Sequence, residues 1–228
     1  MNNQLQQNAL PTNKTILSFF AHPDDEAFGP AGTMAQLAQQ NKVHLLMATR
    51  GDKGQNVTQD RKLISIRKNE TQKSAQLLGL SSVKFLHFTD GRLCNVTYQK
   101  LAKQVEAILE QLKPEIIITF EPRGLSGHLD HVAVSSVAAY WYHRKPYIQQ
   151  LWYFGLTREM RGQDHTYFVH KPPGYERDEF DLIVPIEEQW ELKKQAIQAH
   201  ASQQKDTSWM LNRMEQFPKE EHFLIERK

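Results

Sequence analysis

A short polar run directly after the first apolar segment has the residue types best suited to chemistry. Residues 15–21 are mostly apolar and predict a buried strand. Residues 22–26, His-Pro-Asp-Asp-Glu, follow where that strand should stop. Three neighbouring carboxylates beside an imidazole repel one another unless a cation joins them. The run therefore predicts a divalent metal site at the carboxyl end of a strand, where open α/β sheets place their ligands.

A second cluster far along the chain, Gly127–His131, contains the ligand that the first cluster lacks. Zinc in hydrolases takes three protein ligands from histidine and carboxylate side chains and leaves a fourth position for water. His22 and Asp25 can both face one ion from a strand-to-helix turn, and His131 can complete the set. Zinc at this position would lower the pKa of a bound water to about 7 and polarise a carbonyl oxygen.

The other polar residues of the two clusters predict the catalytic roles. Asp24 is not a ligand in this scheme and can accept a proton from the water. His128, when protonated, can stabilise an oxyanion or donate a proton to a leaving amine, and Asp130 can orient its imidazole. A single aspartate at a helix start is more often a cap, but three acidic residues beside a histidine exceed what capping requires.

Strand-like and helix-like segments alternate through the first two thirds of the chain. Strands are predicted at 15–21, 43–48, 83–88 and 115–120, with helical periodicity between them. This alternation indicates right-handed βαβ crossovers and an α/β fold with a mainly parallel sheet. In a doubly wound strand order the first and fourth strands flank the switch point, so we expect the two clusters to meet there.

The last third of the chain is less regular. Its predicted elements are a strand at 151–154, a strand or edge pair from 167–169 and 180–184, a helix beginning at Pro185 and a helix from Ser208 onward. The aromatic residues of segment 140–179 are interpreted as hydrophobic core in preference to a sugar site.

Size and composition predict one domain over residues 1–228, in which residues 1–13 are flexible and residues 140–228 form a C-terminal elaboration. The net charge of +2 gives no reason to expect binding to nucleic acid or to a membrane. Cys94 is the only cysteine, which excludes an internal disulfide and a thiolate zinc site. The N-terminus lacks the features of a signal peptide, and no segment has the length of a bilayer span, so we expect a cytoplasmic protein.

Two motifs are specific enough to indicate a family. Ala-His-Pro-Asp-Asp-Glu stands at 21–26 and Gly-His-x-Asp-His at 127–131. The pair resembles the PIG-L/LmbE-like family of zinc-dependent de-N-acetylases. Weaker matches at 67–70, 89–91 and 200–203 extend the resemblance from about Thr15 to about Gln203. Leu129 departs from the pattern, because many members have proline there.

The resemblance implies a Rossmann-like three-layer sandwich and hydrolysis of an N-acetyl or related amide, often on a glucosamine derivative. It assigns the metal ligands to His22, Asp25 and His131, the general base to Asp24 and the electrophilic or acid partner to His128, with Asp130 behind it. It also implies that Arg67 and Asp90 contact sugar hydroxyls, although such a pair is equally an ordinary salt bridge. The expected partner is a small amino-sugar substrate, and the sequence leaves open whether the protein forms a homo-oligomer.

Three alternatives stay open at this point. The same metal site suits cleavage of a larger amide conjugate or of an ester. Two histidines and one carboxylate also suit Fe²⁺ or another divalent metal in place of Zn²⁺. A non-catalytic Rossmann-like nucleotide-binding module is disfavoured, because segment 27–32 lacks the G-x-G-x-x-G pattern and the acidic run would face the pyrophosphate.

Overall fold

The computed structural model describes residues 9–54, 62–161 and 169–228. Within these residues, seven strands form a single sheet in the order β3-β2-β1-β4-β5-β7-β6. The strands are β1 (Thr15–Phe20), β2 (Lys42–Thr49), β3 (Ser82–Phe88), β4 (Ile116–Phe120), β5 (Gln150–Gly155), β6 (Leu182–Pro185) and β7 (Glu220–Arg227). Strands β1 to β5 are parallel to one another, and β7 runs antiparallel to both β5 and β6. The predicted α/β fold with a mainly parallel sheet is confirmed.

Helices cover both faces of this sheet. They are α1 (Asp25–Phe28), α2 (Ala31–Ala38), α3 (Leu63–Leu77), α4 (Val96–Leu112), α5 (Leu129–Arg144), α6 (Arg158–Arg161), α7 (Trp190–Gln198) and α8 (Gln204–Met214). Apolar residues of α2, α3 and α7 form the core on one face, and those of α4 and α5 form the core on the other. The result is the three-layer arrangement that the strand and helix pattern predicts.

Strand β1 illustrates why these segments are largely apolar. Its successive side chains point to opposite faces of the sheet, so Ile16 and Phe20 join one core while Leu17 and Phe19 join the other. A strand covered by helices on both faces is built from a nearly continuous run of apolar residues, interrupted in β1 by the small buried Ser18. The aromatic residues Trp141 and Trp152, which the sequence assigned to core, are also buried.

The first and fourth strands are neighbours, as the topology predicts. Ile16 of β1 pairs with Ile116 of β4 in parallel register, and β2 pairs with the opposite edge of β1. The strand order therefore reverses at β1, and the loops after β1 and β4 emerge side by side. This adjacency brings together two clusters that are far apart in sequence.

Two predictions for the last third of the chain are wrong. Pro185 does not start a helix: it ends β6, opposite Glu220, and α7 begins at Trp190. A proline without an N–H donor is tolerated in β6 because that strand lies at the sheet edge. The tail predicted as helix from Ser208 is helical only to Met214 and then forms β7, whose backbone hydrogen bonds join β5 to β6.

Some sequence predictions concern residues outside the described ranges. Residues 1–8 of the N-terminal segment predicted to be flexible are among them, and so are residues 167–168 of the predicted edge pair. Among the residues that the structure does describe, no helix is long and apolar enough to cross a membrane.

Candidate metal centre and active site

The turn after β1 fixes the first two predicted ligands. The backbone N–H groups of Ala21 and His22 donate to Oδ2 of Asp25, at 3.1 Å and 2.8 Å. The turn closes at Asp24, whose φ of 111° lies in the left-handed region that a non-glycine residue seldom adopts. Such strain persists only where the surroundings enforce it, and it is common at functional sites. The backbone therefore holds the carboxylate of Asp25 beside the imidazole of His22.

The third predicted ligand lies in the first turn of α5. His128 caps this helix, and His131 follows it on the face that points back toward β1. Nδ1 of His131 lies 3.1 Å from the carbonyl oxygen of Gly124 and 3.3 Å from Oγ of Ser126. The loop after β4 therefore fixes this imidazole from its far side.

Three donor atoms converge at one point, and all three residues are buried. Nδ1 of His22 lies 3.2 Å from Nε2 of His131 and 3.6 Å from Oδ2 of Asp25. Nε2 of His131 lies 3.3 Å from Oδ1 of Asp25. Tetrahedral zinc with ligands at about 2.0–2.2 Å places those ligands about 3.4 Å from one another. The separations between these donors therefore suit one small divalent ion.

The protonation pattern of the two imidazoles agrees with this reading. Nε2 of His22 lies 3.2 Å from both Asp130 Oδ2 and Asp90 Oδ1, so it carries a hydrogen and donates it. His131 in turn donates from Nδ1 to the carbonyl oxygen of Gly124. Each ring then directs a lone pair at the other across 3.2 Å, an arrangement that needs a cation or a proton between them.

The pKa values of these groups reflect the concentrated negative charge. Burial disfavours the protonated form of His22, but Asp130, Asp90 and Asp25 outweigh burial and raise its pKa to about 10. Burial would raise the pKa of Asp25, but His131 and His22 outweigh it and hold that pKa well below its ordinary range. The cluster therefore attracts positive charge strongly.

Asp24 lies beside this cluster and is held by other groups. Its Oδ2 accepts a hydrogen bond from Nη2 of Arg67 at 2.8 Å, and its backbone N–H donates to Oε2 of Glu26 at 3.1 Å. Burial raises the pKa of Asp24 to about 6, although Arg67 opposes the rise. A carboxylate with a pKa near 6 suits proton transfer at neutral pH.

His128 packs against the two histidine ligand candidates. Its ring centroid is 4.5 Å from that of His22 and 5.1 Å from that of His131. Burial and the electrostatic influence of these two imidazoles lower the pKa of His128 to about 4. The ring is therefore neutral at pH 7, whereas the sequence suggested a protonated imidazole. Its Nδ1 accepts the backbone N–H of Asp130 at 3.1 Å, so Nε2 carries the hydrogen.

The carboxylate of Asp130 has a different partner from the one predicted. The sequence suggested that it orients His128, but its Oδ2 lies 3.2 Å from Nε2 of His22. Backbone N–H groups of Gly91 and Leu93 also donate to it, at 2.8 Å and 3.0 Å. Asp130 thus orients His22 through its side chain and His128 through its backbone N–H.

The two residues predicted to contact sugar hydroxyls lie close to the cluster. Arg67 is almost fully buried and donates to the carbonyl oxygens of Gly51 and Pro23 as well as to Asp24. A Cβ atom at Gly51, whose φ is +64°, would lie only 2.4 Å from Nη1 of Arg67. Asp90 lies 3.9 Å from Nη1 of Arg67 and 3.2 Å from His22. In this arrangement Arg67 holds the turn that carries Asp24.

Sequence reasoning gave no role to a buried pair beneath the cluster. Nε2 of His200 lies 2.7 Å from Oε1 of Glu26, and both side chains are fully buried. Burial would lower the pKa of His200, but Glu26 outweighs it and raises that pKa. The other oxygen of Glu26 accepts the N–H of Asp24, so this pair supports the strained turn. In the sequence, segment 200–203, which resembles a segment of the PIG-L/LmbE-like family, was the signal that could have pointed to this pair.

A second group of donor atoms in the described residues shares His22 and adds Asp90, His128 and Asp130. Both carboxylates of this group already accept a hydrogen bond from Nε2 of His22. The group His22, Asp25 and His131 is the better metal site, because its two imidazole lone pairs point toward one another.

Comparisons with known proteins point in the same direction. Residues 17–142 match the family model described as PIG-L, GlcNAc-PI de-N-acetylase. The chain is 30% identical over 194 residues to a probable N-acetyl-alpha-D-glucosaminyl L-malate deacetylase 2 of Bacillus cereus, covering 82% of this chain and 83% of that protein.

Solved structures share the fold at lower identity. The N,N'-diacetylchitobiose deacetylase of Pyrococcus horikoshii superposes with a TM-score of 0.69 at 22% identity, covering 94% of this chain and 84% of that one. GalB, the 4-carboxy-2-hydroxymuconate hydratase of Pseudomonas putida, superposes with a TM-score of 0.70 at 16% identity, covering 93% and 95%. Because this fold also carries hydratase chemistry, fold similarity alone does not define the reaction.

Proposed function

The chain belongs to the PIG-L family of metal-dependent de-N-acetylases, and on that premise we propose that it hydrolyses the N-acetyl amide of an N-acetylglucosamine-type substrate. The products are the free amino sugar and acetate. The name of the Bacillus cereus relative supports the amino-sugar substrate, and the polar groups around His22 suit a hydroxylated ligand.

We propose that Nδ1 of His22, the carboxylate of Asp25 and Nε2 of His131 hold the metal, and that the metal is zinc. The nitrogen and oxygen donors, the separations of 3.2–3.6 Å and the inward lone pairs support this assignment. A divalent ion held there would lower the pKa of a coordinated water and would polarise the amide carbonyl. Asp130 and Asp90 support the ligand set by fixing the tautomer of His22.

Asp24 is the proposed general base. Its carboxylate accepts a proton from the attacking water, and the same carboxylic acid then delivers that proton to the departing amine nitrogen. One proton therefore leaves water and arrives on the amine, which balances the reaction. Arg67 and Glu26 hold Asp24 in place through hydrogen bonds to its carboxylate and its backbone N–H.

His128 is the proposed oxyanion partner. Because its ring is neutral at pH 7 and Nδ1 is occupied by the N–H of Asp130, Nε2–H is the group that donates a hydrogen bond. A donor fixed before the reaction stabilises negative charge as it develops on the carbonyl oxygen. In this mechanism the acid is Asp24 alone, and His128 acts without changing its protonation state.

The observation that carries the proposal is the convergence of three buried donors with Asp24 beside them. The test is amine release from a panel of N-acetylated sugars, with and without a chelator, followed by restoration with Zn²⁺ or Fe²⁺. We expect release from N-acetylglucosamine derivatives, loss with chelator and recovery with zinc. Release that persists after complete metal removal would contradict the metal-dependent mechanism, and recovery with Fe²⁺ alone would identify iron as the metal.

A further inference from the structure

A cavity of about 300 Å³ adjoins two of the three proposed metal ligands. Asp25 and His131 form part of its wall, whereas His22, Asp24 and Arg67 do not. Its lining is mainly apolar and includes Phe28, Phe120, Phe154, Ile186, Trp190 and Met214. Phe28 comes from α1, Phe120 from β4 and Phe154 from β5. Most of the other lining residues follow β5 in the chain, so the C-terminal elaboration builds most of the cavity.

The charged residues in the cavity wall have partners within the protein. Arg161 donates to the carbonyl oxygens of Pro172 and Ser126, and Arg213 donates to that of Met160. Nζ of Lys193 lies 2.7 Å from Glu221 and donates to the carbonyl oxygen of Gly29 at 2.7 Å. The carboxylate of Glu221 also accepts the N–H groups of Gly32 and Thr33 at the start of α2. Because these charged groups are bound by one another, by backbone carbonyl oxygens and by a helix terminus, this wall does not need a polar ligand.

The two sides of the metal site therefore differ in polarity. Asp90, Asp130 and Arg67 surround His22 on one side, and the apolar cavity adjoins His131 and Asp25 on the other. The carbonyl carbon of the scissile amide carries the acyl chain and the nitrogen, and these two substituents point away from each other. A sugar entering the apolar cavity would lose water without gaining hydrogen bonds, whereas a hydrocarbon chain would gain from burial.

We propose, resting on the function proposed above, that this cavity binds the alkyl chain of the acyl group, so that the enzyme cleaves N-acyl amino sugars longer than acetyl. The amine half of the substrate then lies on the polar side of the metal. At about 30 Å³ per non-hydrogen atom, the cavity has room for on the order of ten such atoms. The methyl group of an acetyl substrate occupies one of those places.

The test is a series of glucosamine substrates carrying N-acetyl, N-butanoyl, N-hexanoyl and N-octanoyl groups. Each buried methylene is expected to raise kcat/KM by up to about fourfold, the factor that corresponds to burial of one CH₂ group. We expect kcat/KM to rise along the series and to level off when the cavity is full. A steady fall from acetyl to octanoyl would overturn the inference while leaving the de-N-acetylase proposal intact.

A matched pair of variants on α8 tests whether this cavity is responsible. Met214 lines the cavity, and Leu211 lies on the same helix outside the lining. Met214→Trp should lower the ratio of octanoyl to acetyl kcat/KM at least tenfold, whereas Leu211→Trp should leave that ratio unchanged. Because each ratio is measured within one protein preparation, partial misfolding of a variant cancels. An unchanged ratio in Met214→Trp would exclude this cavity as the chain site.

A binding measurement separates failure of this inference from failure of the proposed function. If no substrate in the series releases amine, the proposed function fails. Calorimetric titration of the zinc-loaded protein with octanoate and with acetate then tests the cavity alone. We expect octanoate to bind at least tenfold more tightly than acetate, and Met214→Trp to remove the difference. Equal affinity of the wild-type protein for the two carboxylates would overturn the cavity assignment.

Discussion

Replacing Asp24 with asparagine separates proton transfer from metal binding. The side chain keeps its shape, and its amide oxygen can still accept the hydrogen bond from Nη2 of Arg67, which is 2.8 Å in the structure. Arg67 also keeps its hydrogen bonds to the carbonyl oxygens of Gly51 and Pro23. Asparagine tolerates a positive φ better than most residues, so the value of 111° at this position does not oppose the change.

The expected loss follows from the role of the carboxylate. Asparagine cannot take a proton from water or deliver one to the amine, and general acid–base catalysis contributes about 10²- to 10⁴-fold. Because one group serves both transfers here, we expect kcat/KM to fall by about 10³- to 10⁴-fold, or about 4–5.5 kcal/mol of transition-state stabilisation. Metal content should not change, since the donors of His22, Asp25 and His131 are intact.

The assay measures amine release together with metal content by mass spectrometry on Asp24→Asn and on Asp178→Asn. Asp178 is exposed and lies in a short 3₁₀ helix between α6 and β6, so the same substitution there should leave activity and metal content unchanged. If Asp24→Asn kept more than about a tenth of wild-type kcat/KM, Asp24 would not be the base. If it lost metal and activity together, its role would be in holding the metal site.

Three further predictions follow from the same contacts. Zinc binding at pH 7 should release about one proton per chain, because His22, with its pKa raised to about 10, holds a proton that ligation displaces. Calorimetry in buffers of different ionisation enthalpy counts the released protons. Zero release would contradict the assignment of His22 as a ligand. Leu129→Pro should stabilise the fold by about 0.4–1 kcal/mol, because proline is favoured at the first residue of a helix and Leu129 is the first residue of α5. The preceding residue, His128, already has the extended backbone (φ −69°, ψ 124°) that proline requires before it. A lower Tm than that of the wild type would refute this prediction. His200→Ala should cost about 3–5 kcal/mol in urea unfolding by leaving Glu26 buried without its partner, and a cost below about 1 kcal/mol would show that the pair is not important for stability.

The sequence could predict the part of the fold that depends on local patterns. Continuous apolar runs such as 116–120 indicate strands buried on both faces, and alternation with helices implies parallel order. The adjacency of β1 and β4 followed from the topology alone, and it explains why two distant motifs meet. The convergence of His22, Asp25 and His131 was therefore predictable from the sequence, and their role as metal ligands stays a proposal.

The other features of the fold and of the candidate site depend on contacts between distant residues, which no local sequence pattern encodes. Strand β7, Glu-Glu-His-Phe-Leu-Ile-Glu-Arg, has few apolar residues and becomes a strand because β5 and β6 supply hydrogen bonds on both sides. The contact of Asp130 with His22 spans 108 positions in the chain, whereas its predicted partner His128 lies only two positions away. Spacing along the chain favoured the nearer histidine, and the packing of α5 against β1 determined the actual partner.

The neutral state of His128 was also beyond prediction from residue types. A histidine near carboxylates is ordinarily expected to gain a proton, but here burial and two neighbouring imidazoles lower its pKa to about 4. The short distances from His128 to His22 and His131 exist only in the folded chain. For this reason the proposed mechanism assigns proton delivery to Asp24 and not to His128.

Metal stoichiometry in a matched pair of variants on α5 tests the central claim most directly. His131 contributes a proposed ligand, and His143 lies exposed near the other end of the same helix. After equal loading with zinc and removal of excess, wild type and His143→Ala should each retain about one zinc per chain, and His131→Ala should retain less than about a tenth of that. Full retention of zinc by His131→Ala would contradict the account.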